Sequence, residues 1–562
     1  MLKDHPKGLF VLAFANMGER FGYYTMLAIF VLFIQAKFGF APKTTSTIFA
    51  SFLALVYFLP IFGGLLADKV LGYGKTIILG VIVMFLGYLL LAIPSGTNTA
   101  AELMMFGALA LIALGTGFFK GNLQALVGNL YDAPKYSSKR DLAYSIFYMC
   151  INIGAFFAPS AAEAVTNHFL GKAGLFYNAS IPSLAHQLLD KTITPDGLQQ
   201  LTQFANEQIP NASQNLAGFG QMYIDKLSEA YNYGFGVACI SLIISLAIFL
   251  VFRKAYKSAD VTAREEALAD KKNGTHTSPE AISPAETKER VTALCLVFAV
   301  VIFFWMAFHQ NGLTLTWFAR DYTVNAVSGF DRFSFGLPNM VMIIIAFYGL
   351  IALITSKSAR SKIFAAVALV VGGAGAWMLY SGMDATISIT PQRFQQFNPF
   401  FIIILTPLSV GLFSWLATKG KEPSAPRKIG YGMLIAALAF IFMSIGSVGL
   451  PTPSALEATG GVNGTVTPDL LIGTYFTLTI AELFLSPMGL SFVSRVAPPQ
   501  YKGLMQGGWL AATAVGNYAV AIIGYLWGGM QLWMLWGILV ICCLLAAAFI
   551  FSIMKRLEKV AK

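Results

Sequence analysis

The sequence predicts an all-α polytopic membrane protein with about 14 transmembrane helices. Of its 562 residues, 56% are hydrophobic and 12% are charged, whereas roughly 25% of residues are charged in soluble domains. The apolar residues are gathered in segments close to the ~20 residues that cross a bilayer as a helix. These segments lie at 9–34, 46–67, 76–94, 102–131, 141–166, 233–252, 291–318, 339–355, 363–381, 397–418, 429–450, 469–495, 504–528 and 532–554.

The basic residues support one orientation in the membrane. With the N-terminus in the cytoplasm, 28 of the 38 Lys and Arg residues fall in cytoplasmic connections and 8 fall outside, while Arg20 and Lys120 lie within the membrane. This excess of basic residues on the cytoplasmic side is typical of membrane proteins. It accounts for the net charge of +11, so we expect no nucleic-acid partner. We expect an integral protein of the inner or plasma membrane with both termini cytoplasmic.

Two long polar connections divide the chain. Residues 167–232 are rich in Asn, Gln and Gly and are predicted to form an external loop, whereas 253–290 carry mixed charges and are predicted to form a cytoplasmic linker. The linker separates an N-terminal half, 1–252, from a C-terminal half, 291–562. Two such halves are typical of secondary transporters, which bind substrate at the interface of their repeats.

The first span carries Glu19 and Arg20 near its centre. An ionisable residue there costs about 2.5–3.5 kcal/mol on insertion scales, so it is kept where it meets a partner or a water-filled path. Spacings of i, i+4, i+7 and i+8 also place four polar side chains on one helix face, namely Asn16, Arg20, Tyr23 and Tyr24. We interpret this face as the wall of a binding site. The alternative is a structural ion pair between helices.

Two further spans carry polar residues that suit a ligand. Lys120 lies in the small-residue run Gly115–Asn122, too far from the predicted helix ends to reach water. Tyr148 and Asn152, four residues apart, share a face of the fifth span. These residues can bind a ligand, or they can hydrogen-bond neighbouring helices.

Four blocks in this order resemble the signatures of the proton-dependent oligopeptide transporter family: Glu19–Tyr24, Gly115–Asn122, Phe147–Gly154 and Glu482–Ser491. The resemblance implies a major facilitator fold of two six-helix bundles. It also implies a secondary active transporter that imports di- and tripeptides with protons by alternating access. The two extra spans, at 339–381, fall between the seventh and eighth helices of the family and are predicted to form an inserted hairpin that faces lipid.

The resemblance also implies roles for individual residues. Arg20 and Lys120 are expected to receive the peptide carboxylate and Glu482 the amino group. A guanidinium suits this role because it can grip a carboxylate through two parallel hydrogen bonds. The residues expected to line the rest of the site are Tyr23, Tyr24, Tyr57, Asn152, Asn398 and Trp509.

Two positions depart from the family pattern. Asn16 and His309 stand where the family has glutamates that it ties to proton coupling and gating. Glu19, His309 and Asn16 therefore form the predicted coupling and gating set. Histidine can change charge near neutral pH, which makes His309 a candidate proton relay. The alternative is a hydrogen-bonded histidine in the core.

Other functions stay open at this point. The protein could be an uncoupled or exporting carrier of another small anionic or peptide-like solute, or a membrane sensor that transports nothing. The sequence contains no phosphate loop, metal-ligand cluster or nucleophile constellation, so we expect neither an enzyme nor a cofactor or metal. The expected partners are a peptide, protons and the lipid bilayer, and we expect a monomer.

Overall fold

The computed structural model of the chain describes residues 5–132, 135–261, 283–459, 464–498 and 501–561. Within them, fourteen helical segments are long and apolar enough to cross a membrane. The prediction of an all-α polytopic protein is therefore confirmed, and the chain is an integral membrane protein. Twelve of the spans form two six-helix bundles, and the other two form an inserted hairpin.

The first bundle is built from long helices joined mostly by short turns. Its helices are α1 (Lys7–Phe38), α2 (Pro42–Phe58), α3 (Pro60–Leu66), α4 (Tyr73–Ala92), α5 (Thr99–Asn129), α6 (Arg140–Lys172), α7 (Ile181–Leu189), α8 (Pro195–Gln208) and α9 (Leu216–Val251). Helices α2 and α3 belong to one span, divided at Pro60 because proline has no N–H to donate within a helix. We name the end of the molecule that carries Lys7 the near end and the end that carries Phe38 the far end.

The second bundle contains the inserted hairpin and a small two-stranded sheet. Its helices are α10 (Pro284–Phe308), α11 (Thr314–Asp321), α12 (Arg332–Phe335), α13 (Leu337–Thr355), α14 (Ala359–Ser381), α15 (Phe397–Thr418), α16 (Ala425–Gly446), α17 (Pro453–Ala458), α18 (Pro468–Val496), α19 (Lys502–Leu526), α20 (Leu532–Ser552) and α21 (Met554–Ala561). Strand β1 (Ala326–Ser328) pairs antiparallel with β2 (Thr386–Ser388). A 3₁₀ turn, His309–Gly312, joins α10 to α11.

The connection at 167–232 is more helical than its polar composition predicted. Helix α6 continues to Lys172, α9 begins at Leu216, and α7 and α8 lie between them. The apolar segment predicted at 233–252 covers only the later part of α9, because the first residues of this helix, from Leu216 onward, are more polar. Side-chain caps start some of these helices, as Thr194 does for α8 by accepting from Gly197 N at 3.2 Å.

Much of the connection at 253–290 lies outside the described residues, so its predicted role as a linker stays a prediction. Its described beginning packs on the near end of the first bundle. Asp260 accepts a hydrogen bond from Gly74 N at 2.8 Å, and Asn129 donates to the carbonyl of Ala259 at 3.0 Å. Its described end starts α10, where the hydroxyl of Ser283 caps the helix.

Hydrogen bonds join the two bundles at the far end. Arg320 Nη1 donates to Gln35 Oε1 at 2.7 Å, and the Arg320 guanidinium also pairs with Asp321 at 2.6 Å. The hydroxyls of Thr47 and Tyr525 lie 2.9 Å apart across α2 and α19. The bundles are therefore closed against each other at the far end.

A second group of far-end bonds lies just before α15. Glu163 of α6 forms an ion pair with Arg393 and accepts a hydrogen bond from Thr390 at 2.9 Å. Nearby, Ser160 Oγ donates to Gln396 Oε1 at 2.6 Å. Because the Glu163 side chain is only 4% exposed, its attraction to Arg393 is weakly screened by water.

The inserted hairpin, α13 and α14, is held together by close helix packing. A Cβ added at Gly349 would lie 2.6 Å from Leu369 N, and one at Gly372 would lie 2.5 Å from Ala346 N. Small residues allow this approach of membrane helices. The most apolar window of each hairpin helix is only 17% buried, so the pair lies at the periphery of the bundle.

The base of the hairpin is tied to the far-end bonds. Arg393, the partner of Glu163, also donates from Nη1 to the carbonyl of Phe335 at 3.1 Å, just before α13. Gln396 Nε2 lies 3.4 Å from Met340 Sδ, within α13. Residues that join the two bundles therefore contact the hairpin as well.

Candidate functional site

Glu19 and Arg20 form a buried ion pair on α1. Arg20 Nε donates to Glu19 Oε2 at 2.5 Å, and Nη2 donates to Oε1 at 2.6 Å. Glu19 is fully buried and Arg20 is 4% exposed. The pair is neutral as a whole, which allows two charges to persist away from water. In this arrangement the Arg20 guanidinium already holds a carboxylate, so its predicted role with a peptide carboxylate stays a prediction.

The ring of Tyr23 packs against the Arg20 side chain. Arg20 Cζ lies 4.7 Å from the centroid of that ring, a cation–π contact. Tyr23 and Tyr24 pack edge to face at 5.3 Å, and Tyr23 stacks on Phe52 of α2 at 6.4 Å. Tyr23, on the polar face predicted for α1, therefore contacts α2.

Lys120 of α5 lies over the ring of Tyr57, with 3.7 Å between Nζ and the ring centroid. Arg20 and Glu19 are close enough to act on it electrostatically. In the part of the chain that the structure describes, no carboxylate lies within ion-pair distance of Lys120. Its ammonium group rests on an aromatic face and is available to an anionic ligand.

Glu482 of α18 is the carboxylate on the other side of the site. Tyr148 of α6 donates to its Oε1 at 3.0 Å, and Asn398 of α15 donates to its Oε2 at 2.9 Å. Asn398 Nδ2 also lies 3.0 Å from Thr479 Oγ1. The bond from Tyr148 crosses between the two bundles, so Glu482 joins them at a point between the ends of α6 and α18.

His309 begins the 3₁₀ turn after α10. Its ring stacks on Trp305 with centroids 5.2 Å apart, and the Tyr57 ring lies 6.1 Å away. His309 Nδ1 is buried without a hydrogen-bond partner among the described residues. His309 therefore neighbours the same tyrosine as Lys120.

The other predicted residues have varied surroundings. Asn16 is 4% exposed, and its Nδ2 has no hydrogen-bond partner in the described part of the chain. Asn152 Nδ2 donates to the carbonyl of Tyr148, one turn earlier in α6, at 2.9 Å. Trp509 of α19 packs edge to face on Phe298 at 6.3 Å. The Asn152 amide thus forms this hydrogen bond within its own helix and not with a neighbouring helix.

Electrostatic interactions connect several residues of the predicted set. Tyr57 is within range of Arg20 and Glu482, and Tyr24 is within range of Tyr57 and Glu482. The two cations and the Glu482 carboxylate therefore border one region that is lined by tyrosines.

Two residues near this region were absent from the predicted set. Trp305 stacks on His309, and Asn517 of α19 lies beside the His309 imidazole. Trp305 could have been found from sequence because it precedes His309 by one helical turn. Asn517 is remote in sequence from the family blocks, and only the packing of α19 on α10 brings it to the site.

Bacterial transport proteins resemble this chain over most of its length. Dipeptide and tripeptide permease A of Erwinia pyrifoliae is 26% identical over 525 residues, which cover 91% of this chain and 83% of the permease. The uncharacterized transporter YclF of Bacillus subtilis is 26% identical over 537 residues, covering 91% of this chain and 86% of YclF.

Solved structures resemble it in fold. A mutant of a peptide transporter, POT, in complex with alafosfalin superposes with a TM-score of 0.67 at 23% identity, covering 100% of this chain and 97% of that one. A POT family transporter in complex with 5-aminolevulinic acid gives a TM-score of 0.66 at 19% identity, covering 100% and 98%. The protein thus has the major facilitator fold of these membrane transporters.

The sequence profile of the POT family matches residues 74–277 and 374–527, well over half of the chain. The chain belongs to the POT family. The matched ranges leave out 278–373, which contain His309 and most of the inserted hairpin. His309 is one of the two positions at which the sequence predicted a departure from the family; the other, Asn16, lies in 1–73, which the profile also leaves unmatched.

Proposed function

We propose that the protein is a secondary active transporter that imports di- and tripeptides by alternating access. The observation that carries the proposal is the placement of the Lys120 ammonium and the Glu482 carboxylate around a tyrosine-lined region. A peptide is a zwitterion, and its two ends match these two charges. The dipeptide and tripeptide permeases among the relatives support the same substrate class.

The peptide lies between the two bundles in this mechanism. Lys120, assisted by Arg20, receives the carboxylate, and Glu482 receives the amino group. The walls of the site are provided by Tyr23, Tyr24, Tyr57, Asn152, Asn398 and Trp509. Because Glu482 is bonded to Tyr148 of the opposite bundle, an amino group that binds Glu482 competes with a contact between the bundles. Substrate binding is coupled to their relative movement in this way.

Alternating access requires the far-end bonds to break and re-form. The Glu163–Arg393 ion pair and the Arg320–Gln35 hydrogen bond hold the bundles together at that end. We assign the far end to the outside of the cell and both termini to the cytoplasm, in keeping with the distribution of basic residues. The protein then acts as a monomer in the lipid bilayer.

Proton coupling is the second part of the proposal, and it assigns the proton to Glu19, His309 or both. His309 adjoins the ring that Lys120 also contacts. A protonated His309 beside Lys120 is stabilised only when an anion lies near both cations. The peptide carboxylate is such an anion, so proton and substrate favour each other's binding. Asn16 cannot carry a proton in place of the family glutamate.

Uptake of labelled dialanine and trialanine into proteoliposomes tests both parts. Peptide import is expected in the wild type, with stimulation by an inward proton gradient, and His309→Ala is expected to lose part of the pH dependence. Full pH dependence in His309→Ala would contradict the role of His309. The matched variant Asn16→Glu/His309→Glu restores the family carboxylates. A gradient that stimulates only this variant would show that the wild type is uncoupled.

An uncoupled or exporting carrier of a small anionic or peptide-like solute is the second candidate. It is favoured by the amide at Asn16 and by the His309 imidazole, whose Nδ1 lacks a partner among the described residues, where the family has carboxylates. Counterflow of dialanine without any proton gradient would support it. A membrane sensor predicts binding of dialanine without counterflow.

A further inference from the structure

A cavity opens at the near end of the second bundle. Its volume is about 530 Å³, and its walls come from the connection before α16, the first turns of α16, the end of α18 and α21. Because α16 begins there and α18 ends there, the cavity lies close to the membrane surface. Its charged lining consists of three basic side chains and two carboxylates, namely Lys421, Arg427, Arg495, Glu422 and Glu558.

Positive charge exceeds negative charge around this cavity. Each lining carboxylate has a basic partner: Arg427 Nε lies 2.6 Å from Glu558 Oε1, and Lys428 Nζ lies 2.5 Å from Glu422 Oε1. The two other basic residues of the lining, Lys421 and Arg495, are exposed. The cavity as a whole therefore attracts anions.

An anionic group of the chain itself already binds in this cavity. The Glu558 carboxylate accepts from Arg427 Nη2 at 3.2 Å and from the hydroxyl of Ser424 at 2.7 Å. These contacts occupy Nε and Nη2 of Arg427, whereas a guanidinium has five N–H donors. Arg427 thus retains donors for a second anion, and the planar guanidinium fits the oxygens of a phosphate well.

Helix α21 extends the basic surface beyond the cavity. It directly follows α20, the last span, and buries Met554 and Leu557 against the bundle, while Lys555, Arg556 and Lys559 are exposed. Clusters of about four to eight Lys and Arg beside a spanning helix or on an amphipathic helix are typical of sites for anionic lipids. The basic residues of α21 and of the cavity together form such a cluster.

The cavity also has an apolar edge. Tyr431 lines it, is 37% exposed, and packs on Phe551 of α20 with ring centroids 5.6 Å apart. Tyrosine is common at the membrane–water interface, because its ring is apolar and its hydroxyl is polar. A lipid whose headgroup entered the cavity could therefore lay its acyl chains along Tyr431.

We propose that this cavity binds the phosphate of an anionic phospholipid through Lys421, Arg427 and Arg495, with the acyl chains against Tyr431. The inference goes beyond the proposed function and does not depend on which solute is transported. The lipid phosphate and the Glu558 carboxylate repel each other beside Arg427. Removal of the Glu558 charge should therefore strengthen lipid binding.

Native mass spectrometry of the purified full-length protein with added lipid tests the inference. The wild type is expected to bind phosphatidylglycerol at least about fivefold more tightly than phosphatidylcholine with the same acyl chains, because only the former has a net negative charge. Arg427→Gln and Arg495→Gln should each weaken phosphatidylglycerol binding about fivefold, as expected for one basic residue near a membrane surface. Binding of phosphatidylcholine should change far less.

Glu558→Gln is the matched variant. It breaks the same ion pair as Arg427→Gln, but it removes a negative charge and keeps the basic residues of the cavity. It should strengthen phosphatidylglycerol binding, whereas a merely structural role of the ion pair predicts the same change in both variants. Arg290→Gln is the control for total charge, since Arg290 lies at the near end of α10, pairs with Glu286 at 2.7 Å and does not line the cavity. It should bind the lipid as the wild type does.

Three results would overturn the proposal. Equal affinities of the wild type for the two lipids would do so, and so would equal losses of phosphatidylglycerol binding in Arg427→Gln and Glu558→Gln. Glycerol phosphate, a soluble phosphate ester without acyl chains, should bind far more weakly than phosphatidylglycerol. If it bound equally well, the ligand would be a free phosphate ester and not a lipid.

Discussion

Glu163 and Arg393 form an ion pair between α6 of the first bundle and the residues that precede α15 of the second. The same guanidinium donates to the carbonyl of Phe335, next to the inserted hairpin. One side chain thus touches both bundles and the insertion. Any movement that opens the far end must break this ion pair or carry the hairpin base with it.

Removing this ion pair is expected to open the far end. Removal of one partner of a buried pair is destabilising by roughly 3–5 kcal/mol, so Glu163→Gln should shift the protein toward conformations with separated bundles. The measurement is the rate at which a maleimide labels Gln392→Cys, a fully buried position, in a background that lacks the five natural cysteines. Labelling should be at least about tenfold faster in Glu163→Gln, since 1.4 kcal/mol already corresponds to a factor of ten.

The control for that experiment is Arg332→Gln. Arg332 lies at the far end, and its described hydrogen bonds go to Gly329, Met383 and Asp384 around the hairpin base rather than to the first bundle. Equal labelling rates in the two variants would contradict the role of Glu163 in closing the far end.

Glu482→Gln should weaken recognition of the peptide amino group. Its amide can still accept from Asn398 or Tyr148, but it lacks the charge that attracts an ammonium group. A hydrogen bond to a charged group contributes about 1.5–3 kcal/mol, so dialanine affinity should fall at least about tenfold. Affinity for N-acetyl-dialanine, which has no ammonium group, should change little. The control is Glu207→Gln, a substitution at an exposed position of α8. If Glu482→Gln weakened the binding of dialanine and of N-acetyl-dialanine equally, the role of Glu482 in binding the amino group would be refuted.

Glu19 and Arg20 should show strong energetic coupling. Glu19→Gln leaves a buried guanidinium without its counter-charge, a change that costs roughly 3–5 kcal/mol in buried pairs. Arg20→Gln similarly leaves the buried carboxylate of Glu19 without a cation bonded to it. The double variant removes both charges and is expected to recover much of the stability. Thermal unfolding of the four proteins in one detergent measures this cycle, and additive losses would show that the two residues do not depend on each other.

The hairpin glycines differ in a way that allows a matched comparison. Gly372→Val would place a side chain against the backbone of α13, whereas a Cβ added at the next residue, Gly373, would have no neighbour within 4 Å. We expect Gly372→Val to lower the unfolding temperature and Gly373→Val to leave it close to that of the wild type. Both variants should keep the dialanine affinity of the wild type. Equal unfolding temperatures of the two variants would mean that the close approach at Gly372 does not stabilise the packing of α13 on α14.

Sequence patterns predicted those parts of the molecule that depend on local chemistry. Spanning helices follow from runs of apolar residues, and buried charges such as Glu482 are conspicuous within them. The resemblance of four sequence blocks to the family predicted the fold and the substrate class. The placement of Lys120 over Tyr57 has no comparable pattern, since it depends on how α5 packs near α2.

The contacts that sequence reasoning missed are those made at long range. Asn517 is an ordinary amide within an apolar span, and only the approach of Gly516 to Trp305 reveals its position. The pairing of Arg20 with Glu19 was likewise hidden, because adjacent residues on a helix point in different directions unless their long side chains bend together. Helix ends in polar segments, such as Leu216, were missed because hydropathy identifies the apolar part of a helix and not its full length.

The pairing of β1 with β2 has a consequence for the connectivity of the chain. Because Ala326 lies opposite Ser388, the polypeptide leaves the second bundle and returns to it at adjacent points. An excursion with neighbouring ends can be shortened to a tight turn without stretching the flanking backbone. The two extra helices thus form a separable insertion, and a chain rejoined across that strand pair would keep the twelve spans of the two bundles.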